Sequence, residues 1–116
     1  MADKWVRVAV VGDVETDDVI AVKVGEQEIA IYNVNDKYYA TSNICTHQYA
    51  RLSEGFVIDG VIECPLHQGR FDIVNGKPKG APVHVPLCTF PVKVEGNDIH
   101  ILLESRSGTP NQESNR

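Results

Sequence analysis

Residues 45–67 constrain this chain more than any other stretch, because they require two loops to meet. Cys45-Thr46-His47 is followed by sixteen residues and then Cys64-Pro65-Leu66-His67, taking two of the three cysteines and two of the four histidines. In the first pair, positions i and i+2 can share one side of an extended or tight loop. In the second, Pro65 stiffens the chain between its donors. Each loop adjoins a β-like run: Cys64 ends "VIEC" and Phe71 begins the next. Two such loops can clasp something between them, each supplying one thiol and one imidazole.

The remaining sequence reads as strands. "DDVIAVKV", "QEIAIYNV" and "KYYATS" are β-branched or aromatic runs separated by the turn-like pairs Gly25-Glu26 and Asn35-Asp36. "GFVIDGVIEC" places two short runs around Asp59-Gly60, a strong hairpin signal, and "GRFDIVNGKP" repeats the device at Asn75-Gly76. "FPVKVEGNDIHILL" adds a hairpin turning between Glu95 and Asp98. No segment carries a 3.6-residue period, and the six prolines favour loops. The expectation is an all-β fold, an antiparallel sandwich or barrel.

Length and charge narrow the function. The 116 residues suffice for one domain with a modest core, expected over 1–104, and the formal net charge of −5 opposes general nucleic-acid binding. "SRSGTPNQESNR", residues 105–116, holds no large apolar residue and is expected to be a disordered tail. "MADKWVRVAVVGDVETDD" lacks the pattern of a signal peptide, and no apolar run approaches the ~20 residues of a membrane helix. An odd number of cysteines argues for a reducing compartment, so a cytoplasmic protein without membrane contact is expected.

In such a compartment, Cys/His pairs point to metal. A tetrahedral zinc ion accepts two Cys and two His, but structural zinc sites usually pair like with like. A [2Fe–2S] centre in which two histidines replace two cysteines on one iron accounts for mixed pairs, each loop giving one ligand to each iron. A scatter of core thiols and surface histidines is the plainer alternative, and the matched spacing speaks against it.

The pattern C-x-H-x16-C-x2-H, written "CTH…CPLH" and followed by "QGRFD", resembles the Rieske ferredoxins of bacterial aromatic-ring-hydroxylating dioxygenase systems, of the naphthalene and biphenyl dioxygenase type. The resemblance extends over roughly residues 4 to 103 and includes "YATSNICTH", "LSEG" and a downstream proline loop. It implies a Rieske iron–sulfur domain: an antiparallel β-sandwich with a small cluster-binding subdomain over about 43–71. It implies that Cys45 and Cys64 ligate the inner iron of one [2Fe–2S] cluster, and His47 and His67 the outer iron. It further implies a one-electron carrier that is not itself an enzyme and acts as a monomer. Its partners would be an NAD(P)H-dependent flavoprotein ferredoxin reductase and a terminal oxygenase. A Rieske-like small subunit of a nitrite reductase is the alternative. An oxygenase subunit is excluded, because only His84 and His100 remain for the mononuclear iron triad it needs.

High-potential Rieske proteins carry a further cysteine in each loop; the matching positions here are Ala50 and Leu66, so no bridge forms. Their sulfur-bonding serine and tyrosine correspond to Gly69 and Phe71. Without those donors the reduced state is less stabilised, and a potential of roughly −150 mV is expected, at the low end of the Rieske range. Solvent-facing ligand imidazoles would lower the potential further at alkaline pH.

Other residues receive simpler readings. Cys88 is expected to be a small buried hydrophobe. His84 and His100, in "VHV" and "IHI", are expected to face solvent, and Pro82 to shield the cluster. Gln48, Tyr49 and Gln68 are either docking residues or loop filler. Arg51 is expected to pair with an acidic residue, Trp5 to anchor the first strand, and Asp72 and Gly69 to support the second loop.

Overall fold

A computed structural model of the chain describes residues 4–46, 50–66, 68–80, 83 and 85–103. The elements run β1 (Lys4–Val10), β2 (Asp18–Val24), β3 (Gln27–Val34), β4 (Lys37–Ser42), β5 (Phe56–Ile58), β6 (Val61–Glu63), β7 (Arg70–Asp72), β8 (Thr89–Phe90), β9 (Val92–Glu95) and β10 (Asp98–Leu103). Short 3₁₀ turns occupy Val11–Asp13 and Leu52–Glu54, and no α-helix occurs among the described residues. Three sheets result, in the orders β1-β10-β9, β2-β3-β4-β8 and β5-β6-β7, with every strand pair antiparallel. The all-β, antiparallel expectation is met.

The turn chemistry explains the meanders. Asn35 and Asp36 both take positive φ, 54° and 64°, as do Asp59 and Gly60 at 52° and 78°. Two consecutive left-handed residues match the twist of the flanking strands, which is why Asn, Asp and Gly stand there. Asn33 braces the first of these turns: its Oδ1 accepts from the Asp36 N–H at 2.8 Å, and its Nδ2 donates to the Val14 carbonyl at 2.9 Å. Pro91 sits where the chain leaves β8 in the second sheet for β9 in the first. A residue without an N–H costs no ladder bond at such a crossing, and its carbonyl still accepts from Leu102.

β3 lies inside the four-stranded sheet, the middle layer. Its period-2 alternation sends Ile29 and Ile31 one way and Ala30 and Tyr32 the other, and all four are fully buried. Ile29 and Ile31 pack with Ala9, Val14, Ala40, Ile99 and Ile101, the core between the first and second sheets. Ala30 and Tyr32 pack with Leu52, Ile62, Phe71, Ile73, Val83 and Leu87. That second core joins the β5–β7 sheet to the sandwich, and both Cys45 and Cys64 lie in it.

Two expectations need correction. Cys88 is exposed, because the chain enters β8 with Leu87 turned inward and buried at 4% exposure. His100 does oppose its buried neighbours Ile99 and Ile101, but it is only half-exposed, between Arg7 on β1 and Lys93 on β9. Its Nδ1 is buried and meets no partner among the described residues. Trp5 lies opposite Leu102 on β10, with the Lys93 ammonium 4.4 Å from its ring centroid. The expected tail lies outside the described residues.

Candidate metal centre

The loop carrying Cys45 leaves β4 at Ser42 and closes on itself at once. Ile44 and Arg51 form an isolated antiparallel bridge, and the Cys45 N–H donates to the Ala50 carbonyl at 2.9 Å. Leu52, fully buried, donates its N–H to the Asn43 carbonyl at 2.7 Å. Asn43 is buried with its side chain satisfied: Oδ1 accepts from the Ser53 N–H at 2.8 Å and Nδ2 donates to Ser53 Oγ at 3.1 Å. Arg51 reaches back to β3, its Nε and Nη2 donating to the two carboxylate oxygens of Glu28 at 2.7 and 3.2 Å. The acidic partner expected for Arg51 is therefore Glu28.

The second loop is tighter. Cys64 follows β6 directly, and its N–H donates to the Gly69 carbonyl at 2.6 Å, just before β7. Gln68 takes a φ of 58°, the left-handed turn that brings the chain back. The Leu66 N–H points at Cys64 Sγ, 3.4 Å away. Asp72 caps the turn after β7, its Oδ1 accepting from the N–H groups of Val74 and Asn75, so these bonds brace that turn and not the second loop itself. Gly69 contributes its carbonyl to this loop.

A third segment lies against the first loop. Thr46 Oγ1 donates to the Val85 carbonyl at 2.7 Å, while Val83 and Leu87 are buried in the same core as the two cysteines. Leu87 is held by Gly76, whose carbonyl accepts its N–H. Leu66 and Val85 are left exposed beside the two loops.

Cys45 and Cys64 are 4% and 1% exposed and neighbour one another. Burial pushes the Cys64 thiol up to about 11; the Leu66 N–H opposes that shift and the adjacent Cys45 adds to it. A buried thiol that resists ionisation at Cys64 suits a soft cationic centre, which removes that penalty on binding. The Leu66 N–H is placed to donate to a coordinated thiolate, an interaction that tunes iron–sulfur potentials. These donors fit an iron–sulfur centre. Phe71, fully buried among them, offers no hydroxyl to sulfur. His47, His67, Gln48, Tyr49, Pro82 and His84 lie outside the described residues. Glu28, Asn43, Ser53 and Thr46 support the site without having been singled out in the sequence. Their spacing carries no signal, since each acts across a tertiary contact.

The Rieske [2Fe-2S] domain family matches residues 4–91. The ferredoxin component of naphthalene 1,2-dioxygenase/salicylate 5-hydroxylase systems from Ralstonia sp is 44% identical over 104 residues, covering 90% of this chain and all of that one. The Sphingomonas yanoikuyae B1 ferredoxin superposes with a TM-score of 0.83 at 34% identity, covering 87% of this chain and 100% of that one. A complex of reduced oxygenase and oxidized ferredoxin in carbazole 1,9a-dioxygenase contains a chain with a TM-score of 0.79 at 39% identity, covering 84% and 91%. Nitrite reductase small subunits share the fold at 22% and 17% identity, a likeness of fold alone.

Proposed function

The chain belongs to the Rieske [2Fe–2S] family, and from that premise we propose that it is the ferredoxin of an aromatic-ring-hydroxylating dioxygenase system. Its cofactor is a Rieske [2Fe–2S] cluster, which supplies reversible one-electron storage. The protein is an electron carrier and not a catalyst of substrate chemistry. It would take electrons from an NAD(P)H-dependent flavoprotein reductase and pass them to a terminal oxygenase. The observation that carries this reading is the meeting of Cys45 and Cys64, buried side by side in one core from two separately rooted loops.

In this reading Cys45 and Cys64 hold the inner iron, and His47 and His67 the outer one. Residues 43–71 form the cluster-binding part of a single domain over 1–104. The Leu66 N–H steadies the Cys64 thiolate, while Gly69 and Phe71 withhold the hydroxyl donors that raise potentials elsewhere in the family. A potential of roughly −150 mV follows. A monomer in the cytoplasm completes the reading. No helix of the described residues is long and apolar enough to cross a membrane.

Low-temperature EPR of the dithionite-reduced protein, with iron and labile sulfide counted on the same sample, tests the ligand set. Two irons, two sulfides and a rhombic signal whose average g lies below that of all-thiolate clusters are expected. One zinc and no signal would overturn it. Stopped-flow transfer from the reduced protein to a terminal oxygenase tests the carrier role.

A further inference from the structure

Four side-chain ion pairs are present among the described residues, and they are not equivalent. Arg7–Asp98 joins β1 to β10 at 3.5 Å, and Lys93–Glu95 lies within β9 at 3.4 Å. Arg70–Glu63 joins β7 to β6 at 3.1 Å, with Arg70 largely exposed. Arg51–Glu28 connects the returning arm of a cysteine loop, outside any sheet, to β3, and it does so through two bonds, at 2.7 and 3.2 Å.

We propose that Glu28 and Arg51 are positioning residues for the iron–sulfur centre: their two-point ion pair fixes the Cys45 loop to β3 and so sets where the Cys45 sulfur meets Cys64. This inference rests on the reading of Cys45 as a cluster ligand. The geometry is continuous from strand to sulfur. Glu28 holds Arg51, Arg51 bridges Ile44, and Cys45 follows with its N–H bonded to Ala50. From the same residue of β3, the Glu28 carbonyl accepts the Asn43 N–H at 2.9 Å. Asn43 then clamps Ser53 on the returning arm of the loop with both ends of its amide. Side chain and backbone of Glu28 thus grip both arms of the root, whereas the Cys64 loop is closed by its own backbone bond and an exposed pair.

The planar guanidinium matters as much as its charge. A fork bonded at two oxygens fixes orientation, while an ammonium bonds as a point and leaves the arm free to rotate. The Arg51 guanidinium, aided by the Lys23 charge and least by Asn43, holds the Glu28 carboxyl below the usual carboxylate range, so the pair is formed at neutral pH.

The test uses cluster-loaded protein and the variants R51K, E28Q and D98N. Bleaching of the visible absorption by an iron chelator, EPR g values of the reduced state, midpoint potential and thermal unfolding are followed together. Arg51→Lys and Glu28→Gln are expected to lose the cluster several-fold faster and to shift the rhombic g values. Asp98→Asn, which breaks the remote pair on the first sheet, is expected to leave both at wild-type values. Lysine failing to substitute for arginine would separate orientation from charge, and a shifted g value separates positioning from general destabilisation. An iron-loaded wild type whose R51K and E28Q variants bleach at its own rate with unchanged g values would overturn the inference alone. A wild type without iron would overturn the ligand reading and this inference with it.

Discussion

Single positions in this protein are held by geometry that a residue's type only partly reveals. Gly60 and Gly76 have the same φ of 78°, yet they carry different constraints. A Cβ on Gly60 would meet nothing within 4 Å, so Gly60→Ala should cost only backbone strain, about 1–2 kcal/mol. A Cβ on Gly76 would lie 2.6 Å from the Leu87 carbonyl oxygen and 3.0 Å from Thr89 Cγ2. Gly76→Ala must therefore also displace the segment that carries Leu87. Thermal unfolding of the two variants should place G76A clearly below G60A, with equal melting temperatures as the contrary result. Both glycines follow Asn or Asp in the sequence, and nothing there distinguishes them.

At the scale of elements, the Cys45 loop is a small hairpin without strands. Its root is fixed by the Ile44–Arg51 bridge, the Asn43–Ser53 clamp and the burial of Leu52. Leu52 opens a one-turn 3₁₀ segment and fills the same core as both cysteines. Leu52→Ala should cost about 2–5 kcal/mol, the range for emptying a fully buried leucine site. It should also speed cluster loss, because the cavity opens beneath the loop. Denaturant unfolding with iron release on the same sample checks both, and a loss of stability without faster release would separate core from site. The hairpins β2–β3, β3–β4, β5–β6 and β9–β10 were legible in the sequence, since alternation and turn pairs such as Asp-Gly or Asn-Asp fix them locally. By contrast, β1–β10 and β4–β8 join segments far apart in the chain and carried no local signal. The Asn75-Gly76 hairpin is realised as a turn and a return, Phe71 pairing with Pro78 through an isolated bridge.

Across the whole molecule, β3 links two cores, and Tyr32 lies in the one that holds the cysteines. Its hydroxyl bonds Thr41 Oγ1 at 2.8 Å, and burial holds its pKa well above the ordinary tyrosine value. The folded state therefore favours the neutral phenol: this contribution to stability is complete below about pH 10 and is lost as pH rises beyond it. Tyr32→Phe should cost about 1 kcal/mol at neutral pH through the lost hydrogen bond. It should also flatten the alkaline decline, which melting temperatures between neutral and strongly alkaline pH would reveal. An unchanged alkaline slope would assign that decline to other groups. Charge is also distributed at this scale. Asp17, Asp18 and Asp36 gather where β2 begins and β3 turns into β4, with Thr16 Oγ1 bonded to Asp36. β4 runs from there to Ser42, so the acidic end lies opposite the Cys45 loop.

The sequence by itself determined the fold class, the hairpin turns and the two Cys/His pairs, because alternation, turn dipeptides and ligand spacing are local properties. The pairing of Arg51 with Glu28, the burial of Asn43 and the exposure of Cys88 were decided only by the tertiary structure. Arg51 meets a residue 23 positions away on another strand, and its partner was one acidic residue among sixteen. Cys88 and Leu87 are both apolar in composition, and only the direction of entry into β8 turns one inward and the other out. The Cys/His motif names the residues proposed to hold iron. The packing of the other two sheets against the two faces of the β3 sheet brings Cys45 and Cys64 into one core.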